Sequence, residues 1–309
     1  MSYIGVIFLN VIFPMLILLA IGGALQKKFN FNLRALSNLI TYCLMPATVF
    51  VNIYLTEIDP QLLVEIMVYL LLFGGTLIIL GSIFSKLLKL NKGQSAVFKN
   101  SVSLINSGNY GLPVSQLVFQ THPLGMAVQI IVLVFQNVLT FTYGLYNLIS
   151  ATKSGLEIVR SLFKMPIIHA LIAGGILNAL NIPIPQFLWL PIEHLSDAII
   201  AVALITLGAQ LIQIKFKFLD KVIIAGSIGR LIIGPAVALA FIYIMGIEGI
   251  VAQSLFIASS FPSSRNSSSL ALEYDVEPDR AAQTVLFTTL LSSLTVAFVI
   301  YLSTILFLQ

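Results

Sequence analysis

Two short stretches carry the residue types able to do chemistry. INSGNYGLP, from Ile105 to Pro113, sets Asn106, Ser107, Asn109 and Tyr110 among two glycines and a proline. SSFPSSRNSSS, from Ser259 to Ser269, surrounds Pro262 with hydroxyls, Arg265 and Asn266. Pro113 has no N–H and pushes Leu112 away from helical geometry, while Gly108 and Gly111 ease unwinding. Ser and Asn side chains can bond the backbone groups that unwinding frees. A helix broken at such a place presents a half-helix N-terminus, with free N–H groups and a positive dipole end that attract an anion. Arg265 adds a planar fork of donors suited to a carboxylate. The candidate residues in the two stretches are Ser107, Asn109, Tyr110, Pro113, Pro262, Ser263, Ser264, Arg265 and Asn266, and the chemistry such groups suit is recognition of an anion. A second reading makes each stretch a proline kink whose Ser and Asn pack between helices.

The elements that hold these stretches follow from composition. Hydrophobic residues make up 58% of the 309 and charged residues 9%, with a mean hydropathy of +1.02. A water-soluble chain carries about 25% charge, and the apolar runs here repeatedly exceed the ~20 residues that cross a bilayer as a helix. The alternation of a membrane barrel is absent. The fold class is thus an all-α polytopic membrane protein in contact with the lipid bilayer. The runs predict ten spans, at about 4–26, 35–55, 62–88, 95–119, 125–150, 166–181, 191–212, 221–245, 249–273 and 281–307. The first, without a basic residue ahead of it or a small-residue cleavage site, reads as a retained span rather than a signal peptide. The two polar stretches fall near the middles of spans 4 and 9.

Charge gives the orientation. Lys27, Lys28, Arg34, Lys86, Lys89, Lys92, Lys99, Lys153, Arg160, Lys164, Lys215, Lys217, Lys221 and Arg280 all fall on the side reached after odd-numbered spans. The other side carries Glu57, Asp59, Glu65, Glu193, Asp197 and Glu248 without Lys or Arg. By the positive-inside rule both termini face out of the cytoplasm. The same bias accounts for the net charge of +4 without a nucleic-acid partner.

The chain also echoes itself. AIGGAL (Ala20 to Leu25) matches IAGGIL (Ile172 to Leu177), LSNLI in span 2 matches LSDAI in span 7, and the two breaks lie at a similar offset. Residues 1–152 and 153–309 thus read as two five-span repeats. An odd span number makes their orientations opposite, a common build for secondary transporters.

Two arginines remain inside the predicted spans, where a charge costs at least ~2.5 kcal/mol and needs a partner or cavity. Arg265 has two readings, a substrate contact or a partner for a carbonyl or Glu273. Arg230, nine residues past Lys221, is expected to snorkel to the cytoplasmic interface. No Asp or Glu occupies the middle of a span, so the core suits anions better than cations. His169 reads as an interface histidine, with proton coupling as the alternative. Cys43 is the single cysteine and forms no intramolecular disulfide. Without a zinc-ligand motif, nucleophile elbow or phosphate loop, the chain is not expected to be an enzyme or to hold a metal or cofactor.

NSGNYGLP, SSFPSSRNSSSLALEYDVEPDRAAQTVLFTTLLS and the ten-span layout resemble the auxin efflux carrier family, which includes bacterial malate- and malonate-type permeases and plant auxin transporters. The resemblance covers nearly the whole chain. It implies the bile-acid-symporter type of fold, with two inverted five-helix repeats, a scaffold, a transport bundle, and broken helices crossing in spans 4 and 9. Homodimers are implied by analogy with the plant members. The span-4 Asn and Pro of the crossover match Asn109 and Pro113. The span-9 Pro matches Pro262, with Ser263, Ser264, Arg265 and Asn266 beside it. The bile-acid relatives build a sodium site on a span-9 glutamate, whereas Glu273 lies near the cytoplasmic end. The long cytoplasmic loop of plant members is reduced to about 15 residues. The expected function is secondary transport of mono- or dicarboxylates across the inner membrane. The alternatives are a sodium-coupled symporter of a larger amphipathic acid, or a transporter-like sensor or channel.

Overall fold

The computed structural model describes residues 13–55, 60–149, 166–213 and 220–307, and these are helical, with one isolated β-bridge. The helices are α1 (Phe13–Phe29), α2 (Leu33–Leu55), α3 (Pro60–Leu87), α4 (Lys92–Ser103), α5 (Leu112–Val118), α6 (Pro123–Leu148), α7 (Pro166–Ala179), α8 (Gln186–Leu211), α9 (Lys221–Met245), α10 (Gly249–Ser259), α11 (Arg265–Glu273) and α12 (Pro278–Phe307). Six of them, α2, α3, α6, α8, α9 and α12, are long and apolar enough to cross a membrane. Spans 4 and 9 are each two short helices, α4–α5 and α10–α11. The N-terminal residues of span 1, and Glu57, Asp59, Lys153, Arg160, Lys164, Lys215 and Lys217, lie outside the described residues.

Helix ends are set locally. Asn91 and Gln94 form a capping box that starts α4, satisfying donors the first turn leaves free. Gly246, left-handed at φ 67°, stops α9, a conformation that costs glycine little. Asp220 caps α9 by accepting from the Val222 and Ile223 amides at 3.0 and 3.2 Å. Burial raises the Asp220 carboxyl, but the Arg280 side chain, donating from Nε at 2.6 Å, and the two amides outweigh it. The group is held below the usual carboxylate range.

The helices pack as two bundles. α1, α2, α7 and α8 form one, with α1 against α8 and α7 against α2. The remaining helices form the other, in which α4, α10 and α11 are surrounded by α3, α6, α9 and α12. The bundles meet where α8 lies against α5 and the turn before it, and where α2 lies against α6. Close approach inside the first bundle depends on glycine. A Cβ at Gly22 would strike the Ile205 carbonyl, and one at Gly208 the Leu19 carbonyl. Small residues let backbones approach when dispersion must hold helices together in lipid.

Gly208→Val is therefore expected to lower stability by about 1–3 kcal/mol, as overpacking does, seen as a lower melting temperature. Because the Asp220 pKa is depressed on folding, its contribution is complete above the unfolded value of ~3.9 and is lost as pH falls through the folded value. Asp220→Ala should cost ~1 kcal/mol at neutral pH and flatten stability at the acid end of a pH–melting curve.

Candidate functional site

The two broken spans cross where their chains are extended. Ile105 and Ser263 form the antiparallel bridge: the Asn106 amide donates to Pro262 O at 2.8 Å and the Ser264 amide to Leu104 O at 2.9 Å. Ser263 Oγ donates to Ser101 O at 2.8 Å, and its amide donates to Thr288 Oγ1 at 3.2 Å. Two glutamines of α6 serve the first break. Gln136 Oε1 accepts from the Ile105 amide at 3.2 Å, and Gln129 Nε2 donates to Ser107 O at 3.1 Å. Unwound backbone away from water persists only where the protein supplies such partners. A Cβ at Gly111 would lie 2.7 Å from the Phe261 ring, so the crossing itself requires glycine there.

Arg230 corrects an expectation. Its side chain does not reach the interface; the residue is 0% exposed. Nη1 donates to Val102 O at 2.7 Å and Nη2 to Ser259 O at 2.5 Å. These carbonyls end α4 and α10, the negative poles of two half-helices aimed at the same depth. Partners of that kind, already desolvated, hold the guanidinium more readily than a long reach to water. A Cβ at Gly234 would press on the guanidinium and come within 3.4 Å of Ser259 O.

The turn that leads into α5 and the N-terminus of α11 border a cavity of ≈ 230 Å³. Of the predicted residues, Ser107, Asn109, Ser264, Arg265 and Asn266 line it. Tyr110, Pro113, Pro262 and Ser263 do not: Tyr110 is buried against Phe261, with ring centroids 5.8 Å apart. Pro113 is buried in the first turn of α5, and Pro262 and Ser263 are consumed by the bridge. Asn106, Thr41, Gln136, Asn137 and Thr140 also line the cavity. The last three interrupt the apolar run VLVFQNVLTF, a signal available in the sequence. Wide π-type turns occur at Ile40–Leu44, Ser107–Gly111, Thr140–Gly144 and Gly229–Ile233. The first three put residues on the cavity wall and the fourth contains Arg230; such turns gather at functional sites.

Arg265 Nη2 donates to Ser37 Oγ at 3.3 Å, a hydroxyl rather than a carboxylate; the Glu273 side chain is outside those described. His169 is exposed on α7, apart from the cavity wall. Among the described residues no group of His, Cys, Asp and Glu converges as a metal site.

Residues 8–300 match the family described as membrane transport protein. The chain belongs to that family, the family of the auxin efflux carriers. An uncharacterized transporter of Methanocaldococcus jannaschii is 28% identical over 307 residues, covering 94% of this chain and 96% of its own. An uncharacterized transporter of Methanothermobacter thermautotrophicus is 23% identical over 266 residues, covering 83% of this chain and 84% of its own. Family membership makes the chain a multi-pass membrane transporter, not an enzyme.

In this membrane transport protein the Arg230 clamp fixes the crossing. Arg230→Met strands two buried carbonyls and should destabilise the protein by ~2–6 kcal/mol, at ~1–3 for each. Arg230→Lys, a point charge without the fork, should fall between. Gly234→Ala should destabilise with no change of charge. Thermal unfolding in detergent checks all three, and an Arg230→Met protein as stable as the wild type would remove the clamp.

Proposed function

We propose that this membrane transport protein is a secondary transporter of small organic anions, mono- or dicarboxylates, working by alternating access at the crossing of α4–α5 and α10–α11. One observation carries the reading. The negative half-helix ends are neutralised by Arg230, while the turn into α5, the N-terminus of α11 and Arg265 border the cavity. An anion there meets the first turn of α11, the Asn109 side chain, hydroxyls such as Ser107, and a guanidinium. The cavity lies where the two bundles meet, with Thr41 and Met45 of α2 facing the breaks. Movement of the crossing bundle against the other then exposes the site to each side in turn.

The architecture we infer has ten spans in two inverted repeats, 1–152 and 153–309. The exchange of partners supports it, with α1 on α8 and α7 on α2, as two halves built alike and interleaved would pack. Both termini lie outside the cytoplasm, in a cell membrane, and the protein forms a homodimer. Arg230 also bears on coupling. A fixed cation already occupies the place between two helix C-termini where a bound ion could otherwise serve, so transport proceeds without sodium.

In proteoliposomes, Arg265→Ala should lose carboxylate uptake by at least about tenfold, the scale of a charge-assisted hydrogen bond, while keeping its melting temperature. Replacing Na⁺ by choline should leave wild-type uptake unchanged. Unimpaired uptake by Arg265→Ala would sink the anion site, and uptake abolished without Na⁺ would favour the sodium-coupled alternative.

A further inference from the structure

Arg265 borders two cavities. One is the crossover cavity. The other, of ≈ 690 Å³, has Arg34, Ser37, Gln210, Ser268 and Asp279 on its walls. At the boundary Arg265 Nη2 donates to Ser37 Oγ at 3.3 Å, and Gln210 Nε2 donates to the same oxygen at 3.1 Å. Ser37 of α2 and Gln210 of α8 belong to one bundle, and Arg265 begins α11 in the other. α11 itself packs on α12, α4 and α6, within its own bundle. At this end of the crossing the Arg265 side chain reaches from α11 to the opposing bundle. At the other end α8 lies directly against α5 and the turn before it.

The partner Arg265 has found is a weak one. A neutral hydroxyl shared with an amide offers little to a full positive charge, whereas a carboxylate offers two oxygens to the fork, each in a bond about twice as strong. The arrangement is also unsaturated, since Gln210 Oε1 is buried without a hydrogen-bond partner.

We propose that Ser37 is a built-in competitor for the substrate carboxylate. It keeps Arg265, and through it α11, against the α2–α8 bundle until an anion takes the guanidinium. Binding and release of the bundles are then one event. A neutral molecule of the right shape fills the cavity but leaves the latch closed, so Ser37 selects for charge. This rests on the anion reading above.

The test compares full-length Ser37→Ala with wild type, by amide hydrogen exchange without ligand and by calorimetric titration with malonate and its neutral diamide. Without ligand, exchange across the first turn of α11 should quicken several-fold in the variant. Malonate should bind the variant about three- to tenfold more tightly, since its competitor is gone. Malonate, and not the diamide, should quicken the same exchange in wild type. Unchanged exchange in Ser37→Ala would overturn the latch. Faster exchange with malonate bound no more tightly would overturn the competition, making Ser37 a ligand contact or a bystander. Faster ligand-free exchange in the variant, with neither protein responding to malonate, would remove the carboxylate reading itself, and the competition with it, while the ligand-free latch stood.

Discussion

Two helix C-termini meet in the middle of the structure, and Arg230 lies between them. α4 and α10 each end with carbonyls that no further turn of helix can satisfy, and each end carries a partial charge of about −0.5. Together they amount to roughly one negative charge away from water, and one guanidinium answers it through Val102 O and Ser259 O. An isolated arginine and an isolated pair of helix ends would each be costly there. Placed together they let the chain break two helices at one depth. The wide turn at Gly229–Ile233 and the absence of a Cβ at Gly234 shape the space this needs.

The remainder of the crossing follows from that neutralisation. With the negative ends satisfied, the positive end of α11 is the pole left for the cavity, and its surroundings are amides, hydroxyls and Arg265. Gln129 and Gln136 of α6 do for the freed backbone what water would do in a soluble loop. The bridge between Ile105 and Ser263 ties the two breaks into one object. The bundle of α1, α2, α7 and α8, closed on itself through Gly22 and Gly208, lies beside that object, with α8 against α5 and the turn before it.

Much of this was legible in the chain because the information is local. A bilayer-length apolar run and a Pro–Gly–Asn interruption are each written in consecutive residues, and the observed ends of α2, α3, α6, α9 and α12 fall within a few residues of the expected spans. The role of Arg230 was not legible. Its partners are 128 and 29 residues away, and only the fold brings their carbonyls to one depth. The fate of Ser263 is of the same kind, since its hydroxyl bonds Ser101 O across 162 residues. Tyr110 looked like a site residue because it sits in the break, yet turn geometry sends it into the core against Phe261. Gln136, Asn137 and Thr140 stand out as polar residues in an apolar run, a signal as local as the two breaks.

The most direct measurement is thermal stabilisation of the purified protein by a panel of small carboxylates, in Na⁺ and in Na⁺-free buffer. A ligand that binds only the folded state adds about 2.7 kcal/mol at a hundredfold excess over its Kd. At least one carboxylate is expected to stabilise the protein, equally with and without Na⁺, and to lose that effect in Arg265→Ala. Stabilisation that requires Na⁺, or that persists in full without the Arg265 guanidinium, would contradict it.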